Sequence, residues 1–315
     1  MTNFLSELSG RLADRWISVL VMPGLLFVTA IAAALRLGQP DAVSVTALSR
    51  AADAASQSSE AHSGGGLALI AAGVLAASAA AGLAGTLAGH GVERFWVTPG
   101  LRRPAGLLVA WRRRRWTRAE SREAAGIRKA ALSIYPPTGR QGPGTAARPS
   151  TPAVPKLPAY ADSAIARRER IGLVRPERPT WIGDRLLLTE RRIGTAYELD
   201  LASAWPALWL VVPDSARQEV GTAQDAYSTA ARLTGWGLLY VIVGAWWWPA
   251  AVIGLATSVT GWLRGRQAAD VLAQLIEAVV DLYSAALAKQ LGVADTDRLD
   301  ASLGAAITTQ LRKRP

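Results

Sequence analysis

Four carboxylates interleaved with arginines make one short segment the first place where chemistry could occur. They are Asp184, Glu190, Glu198 and Asp200, and they lie within 17 residues. Paired carboxylates can carry out acid–base catalysis or hold a divalent cation. The same pattern is typical of helix caps and surface ion pairs, and no nucleophile motif accompanies it. We therefore favour structural ion pairs and expect no catalytic residue, metal or cofactor. An enzyme remains the third alternative.

The amino-acid composition also limits which metal and redox sites the chain can form. The chain has no cysteine and two histidines, His62 and His90, which are far apart in the sequence. Disulfides and cysteine-based zinc or redox sites are therefore excluded, and a histidine-rich metal site is not expected. The richness in Ala, Arg and Gly is typical of a bacterial genome of high GC content.

Three long stretches without any charge dominate the sequence. They are Ile17–Leu35, Gly64–Gly89 and Leu233–Leu263. A helix of about 20 apolar residues crosses a bilayer, so these runs predict an integral membrane protein in contact with lipid. The first run ends near a small-residue sequence that resembles a signal cleavage site. Its length and its flanking acids favour an uncleaved span.

The third apolar run is too long for one untilted span. It has 31 residues with Pro249 near its middle, and a single helix would be about 46 Å long. We expect two helices joined at Trp248–Pro249, with Trp246, Trp247 and Trp248 at the outer headgroups. The alternative is one tilted span with an external C-terminus.

The distribution of charge predicts the orientation. The loop 38–64 has one arginine and three acids, whereas 91–228 has 23 basic and 13 acidic residues. Basic segments near spans stay in the cytoplasm. We expect an all-α, polytopic protein of the bacterial inner membrane with four spans in two hairpins, both termini cytoplasmic, and a partly disordered helical cytoplasmic region.

The predicted segments are an amphipathic interfacial helix (1–16), span 1 (17–37), an extracytoplasmic loop (38–64), span 2 (65–90), a basic helical region (91–135), a Pro-rich linker (136–158), a helical region (159–228) with an interfacial segment (201–212), span 3 (229–248), span 4 (249–266), and a C-terminal amphipathic helix with a basic tail (267–315).

A basic run flanked by tryptophans follows span 2. It consists of Trp111, Arg112, Arg113, Arg114, Arg115 and Trp116. Each cation near an anionic membrane surface contributes about 1 kcal/mol, and tryptophan favours the headgroup region, so the run suits anionic lipid headgroups. A simple topology signal ranks first. Nucleic acid is not expected, because no recognition motif accompanies the run.

Three further patterns concern helix packing, the Pro-rich linker and the C-terminal helix. Gly85 and Gly89 form a small-residue motif that lets helices approach closely, and packing against span 1 is favoured over dimerisation. Proline recurs at every third position between Pro149 and Pro158, which favours an extended spacer over a recognition motif. In the C-terminal helix Gln267–Leu291, the acids lie largely off an apolar stripe. They could dock onto the basic cytoplasmic region or simply face solvent.

The segment before span 3 resembles one group of uncharacterised bacterial integral membrane proteins. The residues that carry the resemblance are Tyr135-Pro136, Pro179-Thr180, Gly183, Glu190, Tyr197, Asp200, Trp205-Pro206 and Leu208. Three positions depart from the group's pattern: Asp184 replaces Asn, Glu198 replaces Gly, and Ala207 replaces Arg. The resemblance implies a four-span membrane fold and no particular activity.

These observations predict a membrane-anchored interaction or scaffold protein. Its cytoplasmic helical region would bind a soluble protein, because Trp181, Tyr197, Trp205 and Trp209 lie outside the spans. The candidate interaction residues are Thr180, Gly183, Asp184, Glu190, Tyr197, Asp200, Trp205 and Pro206. The alternative is an oligomeric transporter or pore, although the absence of charge in the predicted spans weakens ion-coupled transport. Homo-oligomer formation is compatible with both.

Overall fold

The chain is all-α wherever the structure describes it. The structure is a computed structural model that describes residues 21–40, 42, 44, 46, 49, 64–100, 105–134, 159–296 and 298–312. Within these residues there are nine helices and no strand: α1 (Met22–Leu37), α2 (Gly64–Val97), α3 (Ala105–Ile134), α4 (Ala159–Ile171), α5 (Trp181–Tyr197), α6 (Leu201–Val211), α7 (Asp214–Val243), α8 (Trp248–Gln290) and α9 (Ala301–Arg312). The predicted helix 1–16, the Pro-rich linker 136–158, Tyr135 and His62 lie outside the described residues.

The helices belong to two compact units. Unit 1 comprises residues 1–94 and 218–272, and unit 2 comprises 95–217 and 273–315. Unit 1 contains α1, most of α2, and the parts of α7 and α8 that flank their connection. Unit 2 contains α3 to α6, the second part of α8, and α9.

A helical hairpin forms one half of unit 1. The chain leaves α7 at Val243, turns through 244–247 and enters α8 at Trp248, so the helix breaks before Pro249 as the sequence predicts. Gly237 lies against Ser258, and Gly244 lies against Ala251, which makes the two helices antiparallel. The turn is tied to the end of α1, because Gln39 Nε2 donates to Gly244 O at 3.3 Å and to Ala245 O at 2.9 Å.

Small residues allow the other helices of unit 1 to approach closely. A Cβ on Gly24 of α1 would lie 1.9 Å from Ser78 O of α2, and a Cβ on Gly235 of α7 would lie 2.6 Å from Gly89 N of α2. Gly85 faces the Trp236 ring, also on α7. The motif formed by Gly85 and Gly89 therefore packs against α7, and the prediction that it packs against span 1 is wrong.

The outer surface of unit 1 is apolar. Exposed leucine, isoleucine, valine, methionine and tryptophan side chains cover its helices: Met22, Leu26, Leu35, Leu69, Ile70, Val74, Leu75, Leu83, Leu87, Leu238, Ile242, Trp246, Trp248, Val252, Ile253, Leu255, Val259 and Leu263. By length and composition, α2 and α8 are long and apolar enough to cross a membrane, while α1 and α6 are apolar but shorter.

Unit 2 has an interior of aliphatic side chains joined by charged pairs. Its completely buried side chains include Ile182, Leu199, Leu208, Val280 and Ile307, which come from four helices and one connection. Helix α9, which the sequence analysis did not separate from the C-terminal region, packs against α5 and α6.

Helix α8 is longer than predicted. It continues without a break from Trp248 to Gln290 over 43 residues, so the segment predicted as span 4 (249–266) and the start of the predicted C-terminal helix (267–315) form one helix. No proline follows Pro249 within α8, so the backbone hydrogen bonds of the helix continue through the boundary between the two predicted segments. Helix α7 likewise runs unbroken from Asp214 to Val243 and joins the predicted helical region to the segment predicted as span 3.

Candidate functional site

The residues of the Pro-Thr-x-x-Gly-Asp segment begin helix α5. Thr180 is its N-cap: Thr180 Oγ1 accepts a hydrogen bond from Gly183 N at 3.1 Å and donates one to Trp96 O at 2.7 Å. A threonine directly before a helix is a preferred N-cap residue, because its side-chain oxygen can accept such a backbone hydrogen bond. A Cβ on Gly183 would lie 2.3 Å from Trp96 O, so this position packs directly against the backbone of the last turn of α2. Thr180 and Gly183 are therefore part of the folded interior.

Asp184 is the centre of a buried charged cluster. Its Oδ1 accepts hydrogen bonds from Glu177 N at 2.9 Å and Arg178 N at 2.8 Å, and its Oδ2 accepts one from Arg112 Nη1 at 2.6 Å. Arg112 also donates to the carbonyl oxygens of Ile171 and Arg178. The side chains of Arg112 and Asp184 are 9% and 5% exposed. This cluster holds the connection between α4 and α5 against α3.

The basic run of α3 faces in more than one direction. Arg112 and Trp116 are buried, and Trp116 Nε1 donates to Gly172 O at 3.1 Å. Arg113 is half-buried, and its Nε donates to Pro176 O at 2.7 Å. The lipid-headgroup interpretation is therefore corrected for Arg112 and Trp116, whose donors are used inside the protein.

The remaining residues of the run are on the surface. Trp111, Arg114 and Arg115 are exposed, and the Arg115 guanidinium lies 4.6 Å from the centre of the Trp111 ring. The headgroup interpretation stays a prediction for these three side chains.

A second charged cluster joins α5 to the C-terminal part of α8. Arg185 Nη1 lies 3.1 Å from Glu277 Oε1, and Thr189 Oγ1 donates to the same oxygen at 2.7 Å. Burial alone would raise the pKa of Glu277. The hydrogen bonds from Thr189 and Arg185 and the charges of Arg185 and Arg192 more than offset this effect and hold the pKa below its ordinary value.

Asp281 lies one helical turn after Glu277 on α8, and its Oδ1 accepts a hydrogen bond from the Tyr197 hydroxyl at 2.8 Å. This bond, together with burial and the charge of Asp281, raises the pKa of Tyr197. Asp281 and Glu277 thus dock the C-terminal helix onto the basic residues and the tyrosine of α5, which confirms the docking interpretation for these two acids.

Asp200 occupies the N-cap position of α6 without capping it through its side chain. Its Oδ2 instead accepts hydrogen bonds from Arg312 Nε at 3.1 Å and Nη2 at 2.9 Å, while Asp200 N donates to Thr308 Oγ1. The hydrogen bond from Arg312 lowers the pKa of Asp200. The Asp200 carboxylate therefore holds α9 in place.

Glu190, Trp205 and Pro206 line one open groove, which we call the α5–α6 groove. It has a volume of about 410 Å³. Its lining is mostly aliphatic and aromatic, and comprises Leu186, Thr189, Glu190, Leu201, Ala202, Trp205, Pro206 and Ile276. Glu190 is exposed and forms no hydrogen bond or ion pair with the described part of the chain. The centre of the Trp205 ring lies 5.6 Å from the centre of the Trp209 ring.

The eight candidate residues therefore fall into two groups. Thr180, Gly183 and Asp184 organise the start of α5, and Tyr197 and Asp200 hold the C-terminal helices. Glu190, Trp205 and Pro206 line the α5–α6 groove, and Asp200 also lines a separate open cavity together with Glu190 and Arg312. Among the described residues, no group of three His, Asp or Glu side chains could hold a metal ion. The arrangement is suited to binding.

Three arginines from separate segments come together at a further cavity that no pattern in the sequence indicated. Arg113, Arg178 and Arg191 line it together with Glu177. The residues are up to 78 positions apart, so no local spacing could have indicated the cluster.

Comparisons with protein-family models, with curated proteins and with solved structures find no match to this chain.

Proposed function

We propose that this chain is a membrane-anchored interaction protein of the bacterial inner membrane. Unit 1 crosses the bilayer with four spans, unit 2 lies in the cytoplasm, and the α5–α6 groove binds a segment of a soluble partner protein. The observation that carries the proposal is the contrast between an apolar outer surface on unit 1 and an accessible, acid-flanked groove in unit 2.

The apolar surface supports a lipid environment. Leu69 is 76% exposed, Leu87 63% and Leu255 57%, although all three lie within helices. Apolar surface left in water costs about 25 cal/mol per Å², and soluble monomers rarely expose large continuous apolar patches. Lipid tails remove this cost, while the small residues between the helices allow the close backbone packing that is typical of membrane helices.

The charge distribution supports a cytoplasmic unit 2. The stretch 91–228, which contains most of this unit, has ten more basic than acidic residues, whereas the loop 38–64 is acidic. Positively charged segments next to membrane spans are retained in the cytoplasm.

The groove supports protein binding by a short helix. Its walls supply apolar contact area, with Trp205 as an aromatic anchor of the kind that dominates protein interfaces. Glu190 at its edge forms no ion pair or hydrogen bond within the described residues. We therefore propose a partner helix with an apolar face and one lysine or arginine positioned for Glu190.

Single-cysteine labelling tests the membrane topology directly. The chain has no cysteine, so each introduced thiol is the only one. In spheroplasts, a membrane-impermeant maleimide should label Ser49→Cys and Ala245→Cys. It should label Ser121→Cys and Thr309→Cys only after the membrane is opened. Labelling of Thr309→Cys before opening would favour the single tilted span. Recovery of the protein as a monodisperse soluble species without detergent would refute the membrane proposal.

Site-specific photocrosslinking tests the groove. A photoreactive amino acid at Ala202, which lines the groove, should give one discrete adduct in living cells. The same amino acid at Thr195, which is exposed on α5 outside the groove, should not. Glu190→Lys should abolish the adduct by repelling a basic partner helix. An adduct of twice the chain's mass would instead favour the oligomeric transporter or pore, and equal adducts at both positions would count against a groove-specific partner.

A further inference from the structure

Unit 2 contains a cavity in which positive charge exceeds negative charge. The cavity, which we call the arginine cavity, has a volume of about 550 Å³. Three arginines and one carboxylate line it beside apolar side chains, namely Arg113, Arg178, Arg191, Glu177, Val109 and Leu187. With all four charged groups ionised, these side chains carry a net charge of +2.

Backbone carbonyl groups hold two of the arginines in position. Arg113 Nε donates to Pro176 O at 2.7 Å, and Arg178 Nη1 donates to Val97 O at 2.8 Å. The other guanidinium N–H groups of these two side chains make no hydrogen bond within the described part of the chain. The two arginine side chains are therefore already ordered before a ligand binds. Because binding then restricts fewer side-chain conformations, its entropic cost is lower.

The third arginine is held by the single carboxylate. Arg191 Nη1 and Nη2 donate to Glu177 Oε1 and Oε2 at 2.7 and 2.6 Å. This bidentate bond lowers the pKa of Glu177, and the charges of Arg191, Arg113 and Arg178 act in the same direction. Both side chains remain about half exposed, so the pair is accessible to a competing anion.

We propose that the arginine cavity binds the phosphate group of a phosphate ester, and that Glu177 competes with this phosphate for Arg191. A phosphate carries one to two negative charges and accepts bidentate hydrogen bonds from guanidinium groups. It would match the excess charge of the cavity and displace the Glu177 carboxylate from Arg191. The proposal concerns a different cavity from the α5–α6 groove and does not depend on a protein partner.

Two kinds of ligand share this chemistry, namely a soluble phosphate ester and the headgroup of an anionic phospholipid. Pro99, which also lines the cavity, follows the end of α2 by two residues, and α2 is one of the helices proposed above to cross the bilayer. A lipid phosphate is therefore a source that the experiment must separate from a soluble one.

The test uses the full-length protein in maltoside micelles, which contain no phosphate. In the first arm, inorganic phosphate or glycerol phosphate is added at constant ionic strength, and the melting temperature and the calorimetric Kd are measured against chloride. In the second arm, phosphatidylglycerol is added to the micelles and compared with diacylglycerol, which has the acyl chains without the phosphate. A phosphate-dependent increase in melting temperature in either arm supports the site and identifies the source.

Three variants assign the effect to the cavity. Arg191→Gln should abolish the increase. Glu177→Gln should tighten phosphate binding by about tenfold, which is the contribution of one charge-assisted hydrogen bond. Arg114→Gln removes the same charge from an exposed position of α3 outside the cavity and should leave binding unchanged.

Each contrary result would overturn a stated part of the proposal. No increase in either arm, or an equal loss in Arg191→Gln and Arg114→Gln, would exclude a phosphate site in this cavity. Weaker binding in Glu177→Gln would show that Glu177 does not compete with the phosphate. Because every shift is measured against the same variant without ligand, a change in basal stability alone would not imitate either effect.

Discussion

Arg112 and Asp184 are 72 positions apart in the chain and form an ion pair of 2.6 Å in the interior of unit 2. The pair joins α3 to the first turn of α5. The Asp184 carboxylate also fixes the backbone N–H groups of Glu177 and Arg178. A carboxylate that first appeared as a candidate for acid–base chemistry is thus an organising residue of the fold.

Removing the carboxylate should destabilise unit 2 strongly. We expect Asp184→Ala to lower the free energy of unfolding by about 3–5 kcal/mol, because it leaves a buried guanidinium and two backbone N–H groups without their acceptor. Asp184→Asn keeps one acceptor oxygen but loses the charge, so its effect should be smaller. Denaturant unfolding of the purified protein in detergent, followed by circular dichroism, measures both.

The exposed Arg114 provides the control for this prediction. Arg114 lies two residues from Arg112 on the same helix, and its side chain is exposed. Arg114→Ala should therefore change the free energy of unfolding by no more than about 0.5 kcal/mol. An equally small change for Asp184→Ala would mean that the ion pair does not stabilise the fold.

The pKa of Glu277 predicts a loss of stability in acid. Because the folded state holds this pKa below its ordinary value, the stabilisation is fully present above the pKa of the unfolded state and is lost as the pH falls through the folded pKa. Asp200, whose pKa is also lowered, acts in the same direction. We expect the melting temperature to fall as the pH decreases below about 5.

Glu277→Gln should reveal how much of the loss of stability in acid is due to this one residue. The variant should melt at a lower temperature near neutral pH and should show a shallower decrease in acid than the unmodified protein. Glu120→Gln, which changes an exposed residue of α3, should leave the pH profile unchanged. Identical acid profiles for Glu277→Gln and the unmodified protein would contradict the assignment.

Two glycines of unit 1 should respond in opposite ways to alanine. A Cβ at Gly24 would lie 1.9 Å from Ser78 O, so Gly24→Ala must separate α1 from α2 and should destabilise the protein by about 1–3 kcal/mol. Gly73, on α2, has no atom within 4 Å of a Cβ, so Gly73→Ala should be neutral or slightly stabilising, because alanine is the better helix former. Thermal unfolding in detergent distinguishes the two. A similar loss for both would mean that α1 and α2 are not closely packed at Gly24.

The sequence was informative where a signal is local. Thr180 before an apolar helix predicts an N-cap, and Pro249 inside a long apolar run predicts a helix break, and both features are present. These signals depend on backbone hydrogen bonds within a few residues. They therefore do not require knowledge of how distant segments pack.

Partners in the tertiary structure could not be read in the same way. The Gly85–Gly89 spacing predicts a close approach without saying which helix approaches. The basic run of α3 did contain a usable signal: Arg112 and Trp116 are four residues apart and therefore share a helix face, whereas Arg114 is two residues from each and does not. That face is the buried one, but its acceptors, Asp184 and Gly172, become evident only when the whole unit is folded.

Substitution of glutamate by glycine should change the free energy of unfolding in opposite directions at Glu198 and Glu190. Glu198 follows α5 with φ 52° and ψ 23°, a left-handed conformation that costs a side-chain-bearing residue about 1–2 kcal/mol. Its side chain makes no hydrogen bond or ion pair with the described residues. Glycine adopts the conformation without that cost. We expect Glu198→Gly to raise the free energy of unfolding by up to about 1 kcal/mol, after allowing for the greater freedom of glycine in the unfolded chain. Glu190→Gly, at an exposed position inside α5, should lower it by about 1 kcal/mol. Denaturant unfolding of the two variants side by side measures this difference, and a loss of stability in both would show that the left-handed backbone at Glu198 is not under strain.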